Sequence, residues 1–106
     1  MNKQIYIIGP VTGINREEAV AAFAKAASMI KEIGMVPVNP TEFVPAETPW
    51  REAMKLCINR LLECGSIIKL PGWDSSKGAM LEVIIAKNMD IPELNIYVGK
   101  FRGGGQ

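Results

Sequence analysis

Residues 71–87, PGWDSSKGAMLEVIIAK, place one carboxylate, Glu82, in a stretch that is otherwise apolar nearly all round. On a helix its neighbours three and four residues away are Gly78, Ala79, Ile85 and Ala86, all small or apolar. Lys77 and Lys87 fall on other faces. Such a carboxylate points toward a sheet or a cleft, where it needs a partner, a ligand or a raised pKa. Two readings follow: an acid at a functional site, or a structural acid bonded to a nearby amide or hydroxyl. Just ahead lies DSSKG, in which Ser75 or Ser76 can cap the helix. The free amides and positive end of that helix would seat an anion, and Gly78 would permit a close approach. The plainer reading is a well-capped helix.

A second stretch, GPVTGINR at 9–16, has Gly9 and Gly13 four apart. It has neither the Gly-Lys-Ser/Thr ending of a phosphate loop nor the dinucleotide fingerprint. It does offer the Thr12 hydroxyl and the Arg16 charge, which could meet a phosphate, or it is a plain turn. Trp73 suits stacking on a base or packing as a lid. Trp50 reads as a staple against the core, and the methionines as core filler. Cys57 and Cys64 are seven apart in a chain without histidine. That excludes Ser–His and Cys–His nucleophile systems and leaves no usual zinc cluster, so no metal and no cofactor are expected. The cysteines read as buried reduced thiols.

These residues need a frame to hold them. The chain has 106 residues, 48% of them hydrophobic, and a net charge of +1. That suits one domain at residues 1–100, with a loose tail at 101–106. No basic run argues for nucleic acid, and no apolar run is long enough to span a membrane. A soluble, cytoplasmic protein is expected. Strand signals at 4–8, 35–38, 66–70 and 94–98 alternate with helix signals. The first helix, 16–33, carries Val20, Phe23, Ala27 and Ile30 at helical spacing, with Asn15 and Glu18 as a capping box and Gly34 as its stop. Residues 39–49 read as a proline-punctuated loop. Thr48-Pro49 then opens a second helix whose buried stripe is Met54, Ile58, Leu61 and Leu62. Residues 76–89 form the third. This alternation predicts a three-layer, doubly wound parallel α/β sheet of the flavodoxin or Rossmann kind, with four strands in order 2-1-3-4. Ligands bind such sheets beyond the strands' carboxyl ends, at the switch between strands 1 and 3. The loops there are Gly9–Asn15 and Pro71–Ser76.

IYIIGPVTG at 5–13, Asn39-Pro40, Trp50 with Met54, and LPGWDSSKGAMLEVIIA at 70–86 together resemble the nucleoside 2-deoxyribosyltransferase-like superfamily, and most its small phage and prophage branch. In the superfamily's enzymes a Ser-x-Gly-x-x-x-Glu pattern ends in a nucleophilic glutamate, and Ser76, Gly78 and Glu82 match it. The resemblance implies that Ser76 and Gly78 hold the 5′ end of a nucleoside or its monophosphate. Gly9, Pro10, Thr12 and Gly13 form the matching glycine loop and Tyr6 is its aromatic neighbour; Trp73 and Asp74 fall beside the pocket, and Asp74 or Glu42 could supply an acid from a loop. It implies N-glycosidic cleavage or transfer on 2′-deoxynucleosides or their 5′-monophosphates through a glycosyl-enzyme ester. The enzymes also carry aspartates where this chain has Cys57 and Gly65. An impaired nucleotide-binding module and a phage interaction protein on the same scaffold are therefore the alternatives. The apolar third helix suits a homodimer or higher homo-oligomer.

Overall fold

The central strand explains the layering. In β1 (Gln4–Ile8) successive side chains alternate between faces, and both faces are apolar. Ile5 and Ile7 point to one side, where they pack with Phe23, Ala26, Ala27 and Ile30 of α1 (Arg16–Glu32) and with Ile68 and Leu70. Tyr6 and Ile8 point to the other, against Cys57 and Leu61 of α3 (Trp50–Leu61) and Ala79, Val83 and Ala86 of α4 (Lys77–Asn88). The computed structural model describes residues 1–95.

β1 pairs in parallel with β2 (Val36–Val38) on one side and β3 (Ser66–Lys69) on the other. The order is β2-β1-β3, with helices on both faces. Among the described residues the sheet thus has three strands, which corrects the expectation of four in order 2-1-3-4. Where the fourth was expected there is one isolated parallel bridge, Ile67 to Glu93. Pro92 precedes it and has no N–H to extend the ladder toward the helix. Residues 96–98 of that expected strand, and the tail at 101–106, lie outside the described residues. No helix among the described residues is long and apolar enough to cross a membrane.

Local chemistry sets the element ends. Asn15 caps α1 by accepting from the Glu18 amide at 3.1 Å. Gly34, at φ +80°, turns the chain out of it. The buried stripe of α1 includes Ala19 where Val20 was expected, and Val20 is exposed. The 39–49 segment begins as a short helix, α2 (Pro40–Phe43). Asn39 caps it through the Thr41 amide at 3.0 Å and the Thr41 hydroxyl at 2.8 Å. Pro40 fits its first turn because no N–H is needed there. Helix α3 begins at Trp50 with Pro49 as its cap, and Thr48 instead closes a turn onto the Pro45 carbonyl. Its buried residues are Met54, Cys57 and Leu61, while Leu62 is exposed.

Gly65 stands at the amino end of β3, where its amide donates to the Gln4 carbonyl. An added Cβ there would come within 2.7 Å of the Asn2 carbonyl oxygen. Backbone cannot yield as a side chain can, so Gly65→Ala is expected to destabilise the fold by about 1–3 kcal/mol. Urea unfolding would measure this. A variant as stable as the wild type would show that the Asn2 segment moves freely.

Candidate active site

The carboxyl end of β1 opens into a cleft that encloses about 550 Å³ together with the solvent at its mouth. Five segments contribute to it: the loop after β1, the start of α1, the α2 segment, the first half of α3 and the first half of α4. Most of the lining is apolar, as in small-ligand sites. Its polar members are Thr12, Arg16, Thr41, Cys57, Ser76 and Glu82.

Glu82 is the chemical centre. It is only 5% exposed, yet it reaches the cleft from the second turn of α4. The Tyr6 hydroxyl donates to its Oε2 at 2.7 Å. Tyr6 is itself fully buried under the cleft floor, and the two residues are 76 positions apart. The Cys57 thiol packs in the same buried cluster as Tyr6 and lines the cleft with Glu82. Burial pushes the Glu82 carboxyl up to about 7, with hydrogen bonds from Tyr6 and Cys57 opposing that rise. Burial likewise pushes the Cys57 thiol up to about 11. It pushes the Tyr6 phenol far above its ordinary value, and the nearby Glu82 charge adds to this. At neutral pH the phenol and thiol are neutral donors, and the carboxyl is poised near its midpoint.

The helix carrying Glu82 is held at its amino end by Ser76, whose hydroxyl accepts from the Ala79 amide at 3.3 Å. Gly78 lies against α3. A Cβ there would sit 3.0 Å from the Met54 sulfur and 3.5 Å from the Trp50 indole nitrogen. Its smallness thus serves helix packing at the cleft wall. Arg16 spans the opposite wall, donating through Nη2 to the Thr41 and Val44 carbonyls, each at 3.2 Å. Those bonds fasten the α2 segment over the cleft.

The structure brings together Glu82, Ser76, Gly78, Gly9 and Thr12 in the cleft lining, with Tyr6 behind Glu82. It does not place Pro10, Gly13, Trp73 or Asp74 there. Pro10 lies 3.3 Å from where a Gly72 Cβ would stand. Gly13, at φ +86°, serves the turn. Trp73 packs on the far side of α4 near Ile67 and Val83, with the Lys69 ammonium 4.2 Å from its ring centre. Asp74 is exposed. Trp50 takes the aromatic position in the lining instead, half exposed at 38%, with Lys77 Nζ 4.6 Å from its ring centre. Cys57 touches the site, but Gly65 sits at the opposite end of the sheet and cannot contribute to it. Thr41, Val44 and Met54 also line the cleft. The Asn39-Pro40 cap was the local signal for the first two.

A family model described as "Domain of unknown function (DUF4406)" matches residues 3–94. Among solved structures, the chain is similar to a 2-desoxiribosyltransferase from Leishmania mexicana, with a TM-score of 0.64 at 24% identity. The match covers 87% of this chain and 62% of that one, so the chain spans less than two thirds of that protein's length. At this identity the likeness is one of fold. No curated protein matches the sequence.

Because the Glu82 pKa is raised from 4.5 to about 7, its protonated form favours the fold. That contribution is complete below the ordinary carboxyl range and is lost as pH rises through the folded value. Glu82→Gln cannot ionise, so its stability relative to the wild type should grow by about 3 kcal/mol from about pH 4 to about pH 8. Denaturant unfolding across that range checks this, and parallel curves would contradict it. Tyr6→Phe removes a donor that favours the carboxylate, so the Glu82 titration should move to higher pH in that variant.

Proposed function

For this chain, which belongs to the DUF4406 family, we propose N-glycosidic bond cleavage or transfer on 2′-deoxynucleosides or their 5′-monophosphates, with Glu82 as the nucleophile. One observation carries this reading. A buried carboxylate opens into a cleft at the carboxyl end of the central strand, held from behind by a tyrosine hydroxyl at 2.7 Å. A purely structural acid would have no need to reach the cleft. The fold shared with the 2-desoxiribosyltransferase supports the same chemistry.

In the proposed step a Glu82 oxygen attacks the anomeric carbon as the bond to the base breaks, through an oxocarbenium-like transition state. Tyr6 fixes the carboxylate from the side away from the sugar. The amides at the start of α4, with Ser76, face the 5′ end, where the helix dipole favours a phosphate. Arg16 adds positive charge on the facing wall. Water or a second base then takes the sugar from the ester.

A second reading has a specific observation behind it. Cys57 stands beside Glu82 where the resemblance implies a partner acid. A cleft that lacks this acid can bind a nucleotide without cleaving it, because general acid catalysis contributes about 10²–10⁴-fold in rate.

The test is incubation of the protein with a panel of nucleosides and 5′-monophosphates, followed by chromatography for free base. Base is expected from at least one member, and Glu82→Gln should abolish its release. If no member yields base, cleavage of these ordinary substrates fails. The binding reading then predicts a ligand-dependent stabilisation of about 2.7 kcal/mol at 100 times the dissociation constant.

A further inference from the structure

The cleft has one carboxyl group and no visible means of protonating a departing base. Every aspartate and glutamate among the described residues other than Glu82 is exposed, and none of them lines the cleft. Residues 96–106, IYVGKFRGGGQ, include no aspartate or glutamate. Tyr6 touches the Glu82 carboxylate and Cys57 packs in the same buried cluster as Tyr6, so both stand on the nucleophile's side of the anomeric carbon. A proton donor to the base must stand across the bond from the nucleophile, which is why retaining carboxyl pairs are about 5 Å apart. The remaining polar lining is Thr12, Arg16, Thr41 and Ser76. Hydroxyls and a guanidinium do not surrender a proton near neutral pH. The cleft does hold a feature suited to positive charge. The Trp50 ring in its wall already draws the Lys77 ammonium to 4.6 Å, the geometry of a cation–π contact.

We infer that the cleft is built for N-glycosides whose base carries a positive charge, such as an N7-alkylated purine or a pyridinium nucleotide, with Trp50 stacking on that base. This rests on the glycosidic reading above and names its substrate class. The step needs no acid. A Glu82 oxygen forms the new bond to the anomeric carbon while the carbon–nitrogen bond breaks. Its electron pair cancels the positive charge on the ring, and the base leaves neutral. Water then attacks the anomeric carbon, the ester bond returns its pair to Glu82, and one proton goes to solvent.

The test compares 2′-deoxyguanosine 5′-monophosphate with its N7-methyl form, which differ by one methyl group and one charge. After subtraction of spontaneous depurination, the wild-type protein should release the methylated base at least about 100-fold faster, the range a missing general acid accounts for. The comparison is made in mildly acidic solution, where N1–H is intact and the N7-methyl ring still carries its positive charge. That substrate should also quench tryptophan fluorescence in Trp73→Phe, where Trp50 alone reports. Release of both bases at comparable rates would overturn the inference and reveal an acid in the cleft, one supplied by a second copy included, while leaving the glycosidic reading intact. Equal quenching by the neutral nucleotide would remove the role given to Trp50. Release from neither substrate would sink both readings together.

Discussion

Placing one carboxylate inside the protein, under a tyrosine hydroxyl, constrains most of the structure around it. An ionised carboxyl so deep is costly unless donors meet it. Tyr6 supplies one at 2.7 Å, and a hydrogen bond to a charged group contributes about 1.5–3 kcal/mol. For that bond to form, β1 must be the central strand, with Tyr6 on the α3–α4 face. The register that pairs Tyr6 with both Val38 and Ile67 keeps it there. A slip of one residue would turn Tyr6 toward α1 and bury Glu82 beside an isoleucine.

The helices complete the same arrangement. Ser76 sets where α4 starts, and therefore which residue reaches Tyr6 on its second turn. Gly78 lets α3 approach closely, which brings Cys57 against the carboxylate and Trp50 to the cleft wall. On the facing side, Arg16 is partly committed to the Thr41 and Val44 carbonyls. Its positive charge stays at the cleft without neutralising Glu82. The site thus combines a poised carboxylate, a tyrosine hydroxyl donating to it from behind and a mostly apolar cavity in front. Among the described residues no group of three acids or cysteines is placed to hold a metal ion.

Much of this was legible in the sequence, and the rest was hidden for physical reasons. α1 carries an apolar stripe with a clear cap and stop, β1 is a short apolar run ended by Gly9-Pro10, and α4 is marked by its Ser76 cap. Glu82 stood out because an acid on an apolar face needs explaining. Its partner carried no local signal, for Tyr6 is 76 residues away and looks like any aromatic in a buried strand. Only the resemblance pointed to it. Helix α2 is four residues long, too short for periodicity, although Asn39-Pro40 is a recognisable start. The two tryptophans are also hard to tell apart from spacing, since each lies near a helix start. The fold puts Trp50 in the cleft and turns Trp73 to the other side of α4. Among the described residues the expected fourth strand is represented by one bridge, Ile67 to Glu93, beside Pro92, which has no N–H to extend the ladder.

The central claim is that Glu82 is a buried carboxyl held at its ionisation midpoint near neutral pH. The most direct test is a carbon-13 NMR titration of the glutamate side-chain carboxyls, with Glu82 assigned by its loss in Glu82→Gln. The structure predicts a Glu82 resonance that titrates with a midpoint of about 7. A Glu82 resonance that titrates in the ordinary carboxylate range, around 4, would show an exposed or strongly paired acid and contradict the account.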